Sequence, residues 1–262
     1  MRTSRLTPTI LAAATFMLIG ALAAPPAPAQ PTSLPLAAPL AYKPVPIKLP
    51  QPIKEAGFEA FLKQLAGIAA KKDRPALARI VAQGFFWVPE DKDVADKKKP
   101  AIENLSTALG LEDRDGPGWD LLTGYAAEPT GGAHPERKGV FCAPGEPAFD
   151  DKAAEELATA TQTDPSEWGY PTVDGIEVRS GPEPTSAVVE KLGLHLVRAY
   201  PDDSPASAVH GDMIRIVTPS GKLGFISLDL LSPLVSEQLC YVKEGNAWKI
   251  AGVIGGNVVP GQ

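Results

Sequence analysis

The chain has 262 residues, of which 44% are hydrophobic and 21% charged, a composition typical of an ordinary globular protein with one large domain or two small ones. Its formal net charge is −6, and an acidic chain binds nucleic acids poorly because phosphate recognition needs a basic face. We therefore expect no nucleic-acid partner. The 28 prolines exceed average usage and predict rigid connecting segments.

The first residues of the chain predict export. Arg2 and Arg5 precede an apolar run over residues 10–22, and Ala-Pro-Ala at 27–29 is a small-residue cleavage motif. Residues 1–29 are therefore predicted to be a signal peptide of a periplasmic or secreted protein. The apolar run is shorter than the ~20 residues of a membrane span, so we expect no stable membrane insertion after cleavage.

Residues 30–52 contain seven prolines, with KPVPIKLPQP as the densest part. This composition favours an extended polyproline II conformation without internal hydrogen bonds. We interpret the segment as a Pro-rich tether. The alternative is a Pro-rich peptide docked on the predicted β-barrel of its own chain or on another barrel.

Residues 53–168 are predicted to form a mainly helical domain. Apolar residues at helical spacing predict a helix over 54–71, and Asp73 with Pro75 predicts the capped start of a second helix. The aromatic run FFWV at 85–88 predicts a short buried strand. The sequence also predicts helices at 100–109, 118–125 and 150–161, and a short strand at 140–142.

Residues 169–262 carry the β signal. Five short runs of β-branched or leucine-rich sequence are separated by turn residues, at 175–182, 188–192, 194–199, 212–218 and 223–226. Five strands within about sixty residues predict a small β-barrel. A β-hairpin is predicted beyond it, with strands at 239–243 and 248–254. The predicted fold class is therefore α+β, with a helical domain before a barrel and an additional C-terminal hairpin.

Three segments of this region resemble the bacterial SH3-like (SH3b) domain family. They are GIEVRSGP at 175–182, GKLGFI at 221–226 and LDLL at 228–231. The resemblance implies an SH3-like barrel. The order of helical half, barrel and closing hairpin also resembles a group of secreted bacterial proteins to which no chemistry is assigned.

The chain contains two cysteines, Cys142 and Cys240. In an oxidising compartment two cysteines allow a single intramolecular disulfide, and each lies in a short apolar, strand-like run. We predict that they are joined, with two buried thiols as the alternative.

A nucleophilic Cys142 is the sharper hypothesis. Secreted cell-wall endopeptidases join an SH3-like domain to a Cys-His catalytic domain, with the cysteine in an Asp-Cys-Ser turn followed by two histidines. Here Cys142 lies in VFCAPG, His134 precedes it, and His195 and His210 follow inside the predicted barrel. This departure disfavours catalysis, and we predict no catalytic residue. The histidines and cysteines have no metal-ligand spacing, so we expect no metal or cofactor.

Aromatic residues commonly form the binding surface of SH3-like domains. Phe225 occupies the aromatic position of the GKLGFI strand, and the alternative without a binding role is that Phe225 and Ile226 simply divide between core and surface. The insert at 200–211 is longer than common hairpin loops and contains Tyr200 and His210. We therefore select Tyr200, His210 and Phe225 as candidate binding residues.

These observations predict a non-catalytic periplasmic or secreted binding module. Its expected partner is a peptidoglycan peptide or an envelope protein. The alternative is a cell-envelope (peptidoglycan) hydrolase or an accessory subunit of one.

Overall fold

The structure is a computed structural model that describes residues 39–112, 117–200 and 209–256. The predicted signal peptide and the first part of the predicted tether lie outside the described residues.

Within the described residues the chain is a mixed α+β protein, as predicted. The helices are α1 (Phe58–Ala70), α2 (Arg74–Arg79), α3 (Ala101–Leu109), α4 (Gly118–Ala127) and α5 (Asp151–Thr161). The strands, in chain order, are β1 (Val81–Val88), β2 (Gly132–Ala133), β3 (Val140–Ala143), β4 (Trp168–Pro171), β5 (Ile176–Arg179), β6 (Val188–Leu192), β7 (Val197–Ala199), β8 (Val209–His210), β9 (Met213–Val217), β10 (Leu223–Ser227), β11 (Leu231–Pro233), β12 (Gln238–Glu244) and β13 (Ala247–Ile254).

The helix signals in the sequence correspond to helices in the structure. The Asp73 carboxylate accepts a hydrogen bond from the Ala76 amide at 2.9 Å, which caps α2 as predicted. Asp150 caps α5 in the same way, through the Ala153 amide. The strand predicted at 85–88 begins earlier, at Val81, because pairing with a neighbouring strand extends it.

The first sheet has the strand order β1-β13-β12-β3-β2. The C-terminal hairpin, β12 and β13, is therefore the centre of this sheet and not an appendage of a barrel. Strand β13 pairs in parallel with β1, and β12 pairs antiparallel with β3. The first sheet thus combines strands from before and after residue 168, where we predicted a domain boundary.

Helices α1 to α4 cover one face of the first sheet and form the largest core. Tyr241 of β12 is fully buried there, and its ring lies edge-on to Phe58 and Phe61, with ring centres 5.2 and 5.7 Å apart. Its hydroxyl has no hydrogen-bond partner in the described part of the chain, and burial raises the pKa of Tyr241.

The second sheet has the order β11-β4-β7-β9-β10-β5-β6, with β8 paired to β9. Among the described residues this sheet is open, so the predicted barrel is wrong in its closure. The physical reason is β4, which precedes the predicted barrel and inserts between β7 and β11. Strands β6 and β11 therefore form the two opposite edges of the sheet and do not pair with each other.

The described part of the Pro-rich segment is packed against the rest of the chain and is not a free tether. Tyr42, Val45 and Ile47 are buried, and the Tyr42 ring lies edge-on to Trp168 with ring centres 5.2 Å apart. We call residues 42–53 the strap. A docked segment therefore describes these residues better than an extended tether does.

The strap contacts both sheets through its backbone. The Ile47 amide donates to the Leu194 carbonyl at 3.1 Å, beside the second sheet. The Ile53 amide donates to the Pro129 carbonyl at 3.0 Å, beside the first. Because an extended, proline-rich backbone forms no internal hydrogen bonds, its amides are available for these contacts.

The disulfide between Cys142 and Cys240 is confirmed, with an Sγ–Sγ distance of 2.01 Å. The two residues are direct partners in the β3–β12 pairing and are buried on the face of the sheet opposite the helices. The bond therefore links the C-terminal hairpin to the N-terminal half of the chain.

We expect the double substitution Cys142→Ser/Cys240→Ser to lower the free energy of unfolding by about 4 kcal/mol, because the bond closes a loop with a sequence separation of 98 residues. Urea unfolding measures this loss. The wild type under reducing conditions should lose the same amount, and an unchanged midpoint in both samples would contradict a structural role.

Candidate functional site

The face of the second sheet opposite its own core carries a row of alternating arginine and aromatic side chains. It runs across four neighbouring segments: Arg179 of β5, Phe225 of β10, Arg215 of β9 and Tyr200, which directly follows β7. Phe225 is the register partner of both Arg179 and Arg215, and the Tyr200 amide donates to the Arg215 carbonyl at 2.9 Å. We call these four residues the arginine–aromatic row.

Strand alternation places the row on one face. Val178, Ile216 and Ile226 flank the row residues along their strands and are buried in the core between the strands. Because successive side chains in a strand point to opposite faces, Arg179, Arg215 and Phe225 must point away from that core. All four residues of the row are half-buried.

Guanidinium groups stack on both aromatic rings. The Arg215 guanidinium carbon lies 5.8 Å from the centre of the Phe225 ring, and that of Arg198 lies 5.3 Å from the centre of the Tyr200 ring. Such contacts are attractive because the ring face carries negative charge density. They hold the cationic groups in fixed orientations.

A buried ion pair supports one end of the row. The Arg198 side chain is 2% exposed and donates to Glu167 Oε2 from Nη2 at 2.7 Å and from Nε at 3.0 Å. Glu167 is itself oriented, because its Oε1 accepts a hydrogen bond from the Asp164 amide at 3.0 Å. The pair therefore fixes the position of Arg198 beneath Tyr200.

The structure brings together two of the three predicted binding residues, Tyr200 and Phe225, with Arg215 between them. The backbone of His210 pairs with Met213 at the end of β9. The His210 side chain and residues 201–208 of the predicted binding insert lie outside the described part of the chain.

The hypothesis of a nucleophilic Cys142 conflicts with the geometry, because its sulfur is bonded to that of Cys240. His134 contacts the Phe86 ring edge-on at 5.8 Å between ring centres and accepts a hydrogen bond from the Glu136 amide through Nδ1. Burial, with Arg137 nearby, lowers the pKa of His134.

Among the described residues, no three His, Cys, Asp or Glu side chains lie close enough together to hold a metal ion. The same residues contain no helix long and apolar enough to cross a membrane.

Sequence reasoning missed the arginines. Arg179, Arg198 and Arg215 are each a single cationic residue inside a short apolar strand, in IEVR, VRA and MIRIV. Such a residue must either face away from the core or have a buried partner, since a lone buried charge is costly. That signal could have turned Arg179 and Arg215 away from the core and given Arg198 a buried partner, as Glu167 is in the structure.

Comparisons with protein-family models, with curated proteins and with solved structures give no match to this chain. The resemblance to the SH3-like family therefore remains a prediction.

We expect Glu167→Gln to lower the free energy of unfolding by about 3 kcal/mol, because it removes the carboxylate charge that lies 2.7 Å from the buried Arg198 guanidinium. Urea unfolding measures the effect. Glu156→Gln is the matched control, since its pair with Lys152 is exposed and 3.9 Å long, and it should cost less than about 1 kcal/mol. Equal losses in the two variants would show that the buried pair adds nothing.

Proposed function

We propose that the chain is a non-catalytic, exported binding module whose arginine–aromatic row contacts a carboxylate-bearing peptide of the bacterial cell wall. The observation that carries this proposal is the alternation of guanidinium and aromatic groups across four neighbouring segments of one sheet face. Arginine and aromatic residues are enriched among the residues that dominate binding interfaces. The planar guanidinium also matches a carboxylate in a two-point hydrogen bond.

The arrangement of the row favours a peptide over an isolated ion. Arg179 and Arg215 lie on opposite sides of Phe225 as its strand partners, so an aromatic platform separates two guanidinium groups, of which that of Arg179 also pairs with Glu177 at 2.9 Å. A peptide with spaced carboxylates and an apolar segment between them is complementary to this order. Stem peptides of the cell wall have that chemistry.

Two further observations support an exported, non-catalytic protein. Structural disulfides persist in oxidising compartments, and Cys142–Cys240 is such a bond, which agrees with the predicted signal peptide. The same bond removes the cysteine that the hydrolase hypothesis requires as its nucleophile. The periplasm or the exterior is therefore the proposed location.

The test is sedimentation of the exported chain with purified peptidoglycan sacculi. We expect binding by the wild type and at least about fivefold weaker binding by Arg215→Ala and by Phe225→Ala, because each removes one part of the row. Arg79→Ala is the control, since it removes one exposed arginine from α2, outside the row. Equal binding by all variants would contradict the proposal.

A parallel digestion assay addresses catalysis. Sacculi incubated with the wild type should release no muropeptides, whereas release that depends on the chain would favour the hydrolase alternative. A synthetic stem peptide with amidated carboxylates should compete less well than the free acid, because it cannot pair with the guanidinium groups.

A further inference from the structure

A second concave surface lies where the two sheets meet, away from the arginine–aromatic row. It consists of two adjoining cavities of about 360 and 550 Å³ that share Glu128 and Pro144. Both volumes are in the range of small-ligand sites. We call the combined surface the acidic groove.

One exposed face of α4 forms the longer wall of the groove. Residues 117, 120, 121, 124, 125 and 128 line it, at the spacing of successive helical turns. The smaller cavity, of about 360 Å³, has walls that include Pro50 of the strap, Tyr170 of β4 and Pro233 of β11. The walls are therefore rich in proline and tyrosine.

The acidic side chains of the groove have no cationic partner in the described part of the chain. Asp120, Glu128 and Glu237 line the cavities, and none of them takes part in an ion pair there. Among the residues that the structure describes, no lysine or arginine lines either cavity. Elsewhere on the described surface some acidic residues, such as Glu59 and Asp93, pair with lysine, so the groove differs from those positions in having its acids grouped around a cavity.

The end of α4 adds to the negative potential. Glu128 is the C-terminal capping residue of this ten-residue helix, and the last helical turn contains no basic residue. The carbonyl end of a helix carries partial negative charge and favours cations within about one turn. The Glu128 carboxylate is held in place, because its Oε1 accepts a hydrogen bond from the Thr130 amide at 2.7 Å.

Burial is the main cause of the raised pKa values of the tyrosines around the groove, and nearby carboxylates add to it. Burial raises the pKa of Tyr125 to about 12, and the Glu237 charge adds to the rise. Burial likewise raises the pKa of Tyr170, with Glu128 and Glu146 adding to the effect after the opposing Ser232 hydrogen bond. Three carboxylates thus act on the phenols that line the cavities.

We infer that the acidic groove binds an extended peptide segment that carries lysine or arginine, supplied by a partner protein. Charge complementarity selects the basic segment, since the groove presents acidic residues and a helix C-terminus that no described lysine or arginine neutralises. Proline and tyrosine walls favour an extended backbone, because aromatic-lined grooves bind extended, proline-containing peptides. This site is distinct from the arginine–aromatic row and requires a partner of opposite charge.

Fluorescence anisotropy of a labelled lysine–proline repeat peptide tests the inference on the exported chain. We expect binding that weakens as salt is added, because exposed charges are screened. Glu128→Gln/Glu237→Gln should weaken binding about tenfold, since it removes two acidic charges but keeps oxygens that accept hydrogen bonds. Should that variant fail to fold by circular dichroism, Asp120→Asn, at an exposed position on α4, replaces it.

The matched control is Glu90→Gln/Glu183→Gln, which removes two exposed acidic charges outside the groove that form no ion pair with other described residues. We expect its affinity to stay within about twofold of the wild type. An equal loss in both double variants would overturn the inference, since overall charge alone would then explain binding. Saturable calcium binding without peptide binding would also overturn it. Arg215→Ala should leave peptide affinity unchanged, which separates this site from the cell-wall proposal.

Discussion

The parallel pairing of β1 with β13 is the contact on which the rest of the structure depends. It joins residues 81–88 to residues 250–254 and makes the C-terminal hairpin the centre of the first sheet. The close approach needs Gly252, because a Cβ atom there would lie 2.6 Å from the Phe86 ring. Helices α1 to α4 bury their apolar faces against a sheet whose two central strands come from the other end of the chain. The N-terminal half therefore has no complete core of its own.

The strap and the disulfide stabilise the same arrangement from different sides. The strap crosses from the second sheet to the region beside the first through backbone hydrogen bonds, while Cys142–Cys240 links β3 to β12 within the first sheet. The two proposed binding surfaces differ in the sign of their charge. The arginine–aromatic row lies on one face of the second sheet, whereas the acidic groove lies at the junction that the strap helps to form. The two proposals therefore call for partners of opposite charge at separate places.

Local signals predicted most elements, because helix caps, apolar periodicity and turn residues act over a few positions. Asp73, Asp150 and the strands near Val140 and Leu223 are examples. The disulfide was predictable because two cysteines in an oxidising compartment have one pairing. Pairing between distant strands was not, since no local pattern states that β13 lies beside β1 or that β4 opens the predicted barrel. Of the candidate site, the aromatic residues Tyr200 and Phe225 were found, but not the arginines between them, whose common face depends on strand register.

Truncation tests most directly whether the hairpin completes the core of the N-terminal half. A chain that lacks residues 238–262 is compared, in the Cys142→Ser/Cys240→Ser background, with a chain that ends at Gly256. We expect the longer chain to unfold cooperatively, with the helix content of the full chain by circular dichroism. We expect the shorter chain to lose most of that helix signal and its cooperative transition, because Tyr241, Trp248 and Ile250 leave the core of α1 to α4. A truncated chain that keeps its helix signal and a sharp thermal transition would contradict this account.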